Sequence, residues 1–137
     1  YRRGHLLFVH ATPEAPEHWY YLETIGDARR NFAAFSERVC FVGHSHVPVV
    51  LALTKQGEIS VVTDQKVALT PEGRYLINVG SVGQPRDSNP NACFGLLDSE
   101  QGTFQLVRVG YAIATTQEKI RAAGLPEYLA ARLALGL

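Results

Sequence analysis

The chain has 137 residues, 46% hydrophobic and 19% charged, enough for one domain with a sizeable core and too apolar for a disordered segment. Thirteen Lys and Arg balance thirteen Asp and Glu, and zero net charge argues against bulk electrostatic binding to nucleic acid or an anionic membrane. No apolar run approaches a bilayer span and no charged-then-apolar leader is visible, so no membrane partner is expected, and two cysteines without a CxxC pair read as the free thiols of a cytoplasmic protein.

The sequence contains no methionine and starts at Tyr1, so residues are expected ahead of it. His5 to His10 (HLLFVH) reads as a short buried strand, followed by a loop marked by Pro13 and Pro16. Asp27 reads as the N-cap of a helix whose apolar face carries Ala28, Phe32 and Phe35. Arg38 to Gly43 (RVCFVG) is a second strand and runs into Gly43-His44-Ser45-His46. Strands are then expected at 47–53, 59–62, 74–79, 92–98 and 103–109, separated by turn segments such as Lys55-Gln56-Gly57 and Pro71-Glu72-Gly73. The end reads as two short helices, Gln117 to Ala123 stopped by Gly124, and Pro126 to about Leu135. Strand, helix and strand, then a run of strands and closing helices, predict a layered α/β domain with a mixed sheet. Cys40 and Cys93 form no CxxC pair and read as buried free thiols.

Two segments carry chemistry. His10 and the His44-Ser45-His46 pair fall at strand ends, where α/β sheets bind ligands. Two rings two residues apart share a face of a strand or converge from a tight loop, and imidazole is the commonest nitrogen ligand of divalent transition metals. Gly43 lets the backbone turn there. The rival reading is a pair of histidines hydrogen-bonded within a loop. The second segment is Asn78-Val79-Gly80-Ser81-Val82-Gly83-Gln84-Pro85-Arg86-Asp87. Its glycines free backbone N–H groups, and the guanidinium fork of Arg86 matches phosphate. The rival reading pairs Arg86 with Asp87 or with a carbonyl.

VHATP (Val9 to Pro13), GHSH and NVGSVGQPRD, in that order and spacing, resemble the calcineurin-like metallophosphoesterases. The likeness is to the subgroup of small phosphodiesterases, phosphatases and diadenosine-tetraphosphatase-like proteins, and it extends to the closing segment GLPEYLAARLALG. It implies part of a four-layer αββα sandwich with mixed sheets. It also implies hydrolysis of a phosphodiester or phosphomonoester, a nucleotide among them, by a hydroxide held between two divalent metal ions. Manganese is the first expectation, with zinc or iron as alternatives. By position, His10 and His44 would hold one metal and His46 the other, while Arg86 would bind substrate. The family's Asp-x-His, Gly-Asp-x-x-Asp and Gly-Asn-His-Asp/Glu blocks have no counterpart here. Residues 1–137 are therefore expected to form the C-terminal portion of one metallophosphoesterase domain.

Other residues read more plainly. His18 is expected at the surface, and Trp19, Tyr20 and Tyr21 either line a substrate mouth or cover a core edge. Ser45 orients its loop, and Asn78 steadies the glycine loop that follows it. A catalytically inactive scaffold of the same fold is the alternative function. A three-histidine single-metal site on an unrelated fold explains the histidines and leaves the GSVGQPRD segment unexplained. Pairing between copies through an exposed sheet is open.

Overall fold

The order of elements follows from which strands are apolar on both faces. The computed structural model describes residues 1–137 and begins with a two-stranded ribbon, β1 (Arg2–Arg3) and β2 (Leu6–Phe8). Helix α1 (Ile25–Ala33) comes next, then β3 (Val39–Val42), all four residues of which are buried. A strand buried on both faces belongs at the centre of a sheet covered on two sides. After it come β4 (Val49–Leu53), β5 (Ile59–Val62), β6 (Lys66–Ala68) and β7 (Arg74–Asn78). The chain closes with β8 (Ala92–Asp98), β9 (Thr103–Val109), α2 (Ile113–Ala122), α3 (Glu127–Ala131) and a 3₁₀ turn at Arg132–Ala134.

The strands form a six-stranded mixed sheet in the order β1-β2-β3-β7-β4-β5 and a three-stranded sheet in the order β6-β9-β8. In the larger sheet β2, β3 and β7 are parallel, with Phe8 opposite Phe41 and Val42 opposite Asn78. The smaller sheet is wholly antiparallel. Alternation along β3 and β7 divides the core in two. Cys40, Val42 and Leu76 join Ala28, Phe32 and Phe35 on the helix side. Val39, Phe41, Tyr75 and Ile77 join Val67 and Phe104 on the side of the smaller sheet. Each such large apolar side chain contributes about 1.5–3 kcal/mol when fully buried. The layers are thus α1, a larger mixed sheet and a smaller antiparallel sheet, an α/β arrangement as the sequence predicts. Helices α2 and α3 pack on each other, and the turn after them is tied to the loop before β8 by Ser88 N–H donating to the Gly136 carbonyl at 2.9 Å.

Several boundaries differ from the sequence reading. Asp27 is not the N-cap of α1. Thr24 caps the helix, and Asp27 sits three residues in, accepting from the Thr24 backbone N–H at 2.8 Å while Thr24 Oγ1 accepts from the Asp27 N–H at 3.1 Å. This is a reciprocal capping box, with the acidic residue in the place usually held by Glu or Gln. Helix α2 starts at Ile113, four residues before Gln117, because Ala-Thr-Thr carries no strong stop or start. Strands β1 and β6 lack the alternation that marks a strand in sequence; they form because a partner offers its edge. The two cysteines are free and buried, and burial pushes the Cys40 thiol up to about 12.

Candidate functional site

Three parallel strands end side by side, and every candidate site residue follows one of those ends. His10 lies just past β2, Gly43 to His46 follow β3, and Asn78 is the last residue of β7. Backbone bonds continue the sheet into the site, from Val9 N–H to the Phe41 carbonyl at 3.0 Å and from Gly43 N–H to the His10 carbonyl at 2.9 Å. The His10 and His44 rings are thereby brought to 5.3 Å between centroids, edge to face.

The GHSH segment is a strained turn. His44 and His46 both have left-handed backbones, with φ of 68° and 62°. Such conformations cost a non-glycine residue of order 1–3 kcal/mol and persist only where surrounding bonds over-determine them. Here Asn78 supplies much of that determination. Its Nδ2 donates to the Gly43 carbonyl at 2.8 Å and to Ser45 Oγ at 2.9 Å, and its Oδ1 accepts from Gly80 N–H at 2.9 Å. Asn78 is fully buried, so these bonds are sheltered from water. Gly80 is required at its place, since φ is 76° and a Cβ would lie 2.8 Å from the Cys93 Cβ.

His46 is fixed from the other side. Its Nδ1 lies 2.7 Å from the Gln84 carbonyl, which can only accept, so Nδ1 carries the proton and Nε2 offers a lone pair. The backbone N–H of Arg86 returns a bond to the His46 carbonyl at 3.2 Å. Partial burial, with smaller contributions from Arg86, His44 and His10, lowers the His46 pKa against a raising effect of the Gln84 bond. A neutral imidazole with a free Nε2 is the form a metal ligand takes.

Aromatic side chains cover the histidines. Tyr21 stacks on His44 at 4.4 Å, and Trp19 meets His10 at 5.1 Å and His44 at 5.5 Å. Trp19 and Tyr21 thus border the histidines. Tyr20 instead pairs with His18, whose Nδ1 is 3.0 Å from the phenol oxygen. Beside this cover lies a cavity of about 560 Å³, with Tyr21, Glu23, Ser45, Val47, Val49 and Arg86 in its lining. Arg86 does not pair with Asp87. Its Nη2 donates to Gln84 Oε1 at 2.8 Å, while Asp87 is taken by Arg108 from β9. The sequence reading missed Glu23, Val47 and Val49 as neighbours of this site, because they come from separate loops and strand ends and share no spacing.

Across the chain, no three His, Cys, Asp or Glu side chains are gathered closely enough to hold a metal ion by themselves. His10, His44 and His46 provide imidazole donors, and no carboxylate joins them. The donor set suits part of a divalent-metal site in its chemistry, a neutral ring with an oriented lone pair, and is short of a full coordination shell.

The site is a strained histidine turn at the carboxyl ends of parallel strands in a layered α/β chain, the arrangement that the resemblance to phosphoesterases implies. Comparison with known proteins agrees. The chain matches a metallophosphoesterase from Sphaerobacter thermophilus over its whole length, at 38% identity and a TM-score of 0.88, while covering 57% of that chain. It is 39% identical over 131 residues to the uncharacterized protein MJ0912 of Methanocaldococcus jannaschii, 96% of this chain and 51% of that protein. The hypothetical protein PH1004 of Pyrococcus horikoshii OT3 shares the fold, with a TM-score of 0.66 at 18% identity over 93% of this chain and 45% of that one. No family model matches the sequence. The likeness to the Sphaerobacter metallophosphoesterase supports the resemblance to calcineurin-like metallophosphoesterases read from the sequence. It spans about half the length of the relatives it matches.

Proposed function

We propose that the protein hydrolyses phosphoesters, monoesters or diesters of small molecules, and that this chain contributes the histidine side of a site for two divalent metal ions. One observation carries the reading. The parallel strand ends bring His10 against His44, and His46, two residues on, has its Nδ1 committed to the Gln84 carbonyl. His10 and His44 would hold one metal and His46 the other, with further ligands from the part of the relatives' length that this chain does not span. When bound, divalent metals supply Lewis-acid charge to the phosphate and an activated water for attack at phosphorus. The chain's own residues do the positioning. Asn78 holds the GHSH turn, Gln84 sets the His46 tautomer, and Arg86 offers N–H donors to a phosphate oxygen. Manganese is the first metal to test, since mixed imidazole and oxygen sites accept it along with zinc and iron.

The test is turnover of a chromogenic phosphoester by the whole protein. His44→Ala and His46→Ala are each expected to abolish hydrolysis while circular dichroism and the unfolding midpoint show a folded protein. Full activity in either variant sinks the assignment. Absence of turnover in the unaltered protein with each of the three metals favours the inactive scaffold of the same fold.

A further inference from the structure

The strap from Ser81 to Asp87 fixes His46, through the Gln84 carbonyl on Nδ1 and the Arg86 N–H on the His46 carbonyl. It belongs to no helix or strand, so its shape depends on what anchors it. Its start is held by the Ser81 carbonyl, which accepts from the Cys93 N–H of β8 at 2.8 Å, and by Ser81 Oγ, which accepts from the Gln84 N–H at 3.0 Å. Its middle is stiffened by Pro85, which is fully buried and whose ring restricts its own backbone and that of Gln84. Its far end is Asp87. One oxygen of that carboxylate accepts from the Arg108 guanidinium of β9, and the other is buried with no hydrogen-bond partner. The Asp87 and Arg108 side chains are 19% and 24% exposed, so the pair is sheltered from much of the solvent screening that weakens a surface ion pair. Arg108 is set in turn by its pairing opposite Cys93 in the β8–β9 ladder and by its Nη1, which donates to the Asn91 carbonyl at 3.1 Å. Asp87 also stands next to Arg86, whose Nε is buried and unpartnered. Without Arg108, the carboxylate has another cation one residue away, and turning to it would draw the strap out of the shape that holds His46.

We infer that Arg108 is a positioning residue for His46: from the smaller sheet it holds Asp87, and through Asp87 the strap whose Gln84 carbonyl keeps the His46 proton on Nδ1 and the Nε2 lone pair free. The orientation of one candidate ligand ring thereby depends on how the β8–β9 hairpin packs against the larger sheet. Outer partners that set the tautomer and angle of a ligating histidine matter to metal binding nearly as much as the ligand itself. The inference rests on the phosphoesterase reading for what the ring is oriented toward, while the orientation is a property of this chain's own residues.

The test is the nitrogen-15 spectrum of the His46 ring in the whole protein, freed of metal by chelation and recorded at about pH 8, above the ordinary imidazole value. The shifts of the two ring nitrogens report which one carries the proton, and the His46 signals are identified by their loss in His46→Gln. The unaltered protein is expected to show a single form with the proton on Nδ1. Arg108→Ala should replace it by a mixture of the two tautomers. Arg108→Lys keeps a cation for Asp87 and should retain the single form. Arg108→Ala also leaves a sheltered carboxylate unpaired, a change that endangers folding in itself. The double variant Arg108→Ala with Asp87→Ala removes both charges, and it should show the same mixture in a protein whose circular dichroism is unchanged. A single Nδ1–H form in the double variant overturns the inference. So does a proton on Nε2 in the unaltered protein, or a mixture in Arg108→Lys as complete as in Arg108→Ala. These signals require neither bound metal nor turnover. A tautomer that responds to Arg108 in a protein that hydrolyses no phosphoester supports the positioning role and counts against the phosphoesterase reading; turnover with a tautomer indifferent to Arg108 does the reverse.

Discussion

Asn78 shows how much one residue can hold. Its three hydrogen bonds tie the ends of β3 and β7 together and span the left-handed His44 from both sides. Asn78→Ala leaves the buried Gly80 N–H and the Ser45 hydroxyl without these bonds and removes one of two bonds to the Gly43 carbonyl, and is expected to lower stability by about 2–3 kcal/mol. Its effect on turnover should exceed that of an equally destabilising core change, because the histidine turn loses its support. Chemical denaturation and activity, measured against Leu51→Ala, check this; equal activity in the two variants would confine Asn78 to a structural role. In sequence, Asn78 was legible as a residue steadying the glycine loop. The GHSH turn it also holds, more than thirty residues earlier, was not, since side-chain to backbone bonds across parallel strands follow no periodicity. His46 is similar. Its residue type pointed to metal chemistry, but the carbonyl that sets its tautomer belongs to Gln84, brought there by the loop after β7.

At the level of elements, α1 is anchored at both ends. Its capping box at the start fixes entry from the aromatic loop that covers the histidines. Its last carbonyls are taken by Arg74 from β7, whose Nη2 donates to Phe32 O at 3.0 Å and also to Phe35 O, with the guanidinium 4.6 Å from the Phe35 ring centroid. The Asp27 carboxyl is held below its ordinary value of 3.8, chiefly by the bond with Thr24. A carboxyl whose pKa is depressed by folding stabilises the fold at pH above its unfolded value. That contribution fades as pH falls below 3.8 through the folded value. Urea midpoints at pH 7 and pH 3 should therefore fall further for the unaltered protein than for Asp27→Asn, and equal drops would show that the charge on this cap contributes nothing. Thr24→Ala should cost about 1 kcal/mol at neutral pH. The apolar face of this helix was readable from the spacing of Ala28, Phe32 and Phe35, whereas its first residue was not, because Thr24 and Asp27 are both good caps in isolation.

For the whole molecule, the prediction concerns metal. The whole protein, purified without chelator, is expected to carry two divalent transition-metal ions per chain by elemental mass spectrometry. His10→Ala, His44→Ala and His46→Ala should each reduce that number. Two ions retained in all three variants would remove these histidines from the ligand set. Trp19 and Tyr21 border the histidines, and the exposed Phe8 stacks on the buried Phe41 one residue before the segment leading to His10. No helix is long and apolar enough to cross a membrane.

Sequence alone determined the layered α/β class and most strands of the two sheets, and singled out the three histidines as candidates, because strand alternation, turn residues and the GHSH and GSVGQPRD segments are local patterns. Chain proximity carries such information without reference to the fold. Tertiary structure decided the rest. It set β1 and β6, which are strands by virtue of their partners, and the pairing of Asp87 with Arg108 in place of Arg86. It also placed Tyr21 on His44 and opened the cavity that Tyr21 shares with Val47 and Arg86. Apart from the local β1–β2 pairing, each of these is a contact between segments far apart along the chain. Such contacts are fixed by which strand ends lie side by side, and that order is a property of the packed sheet.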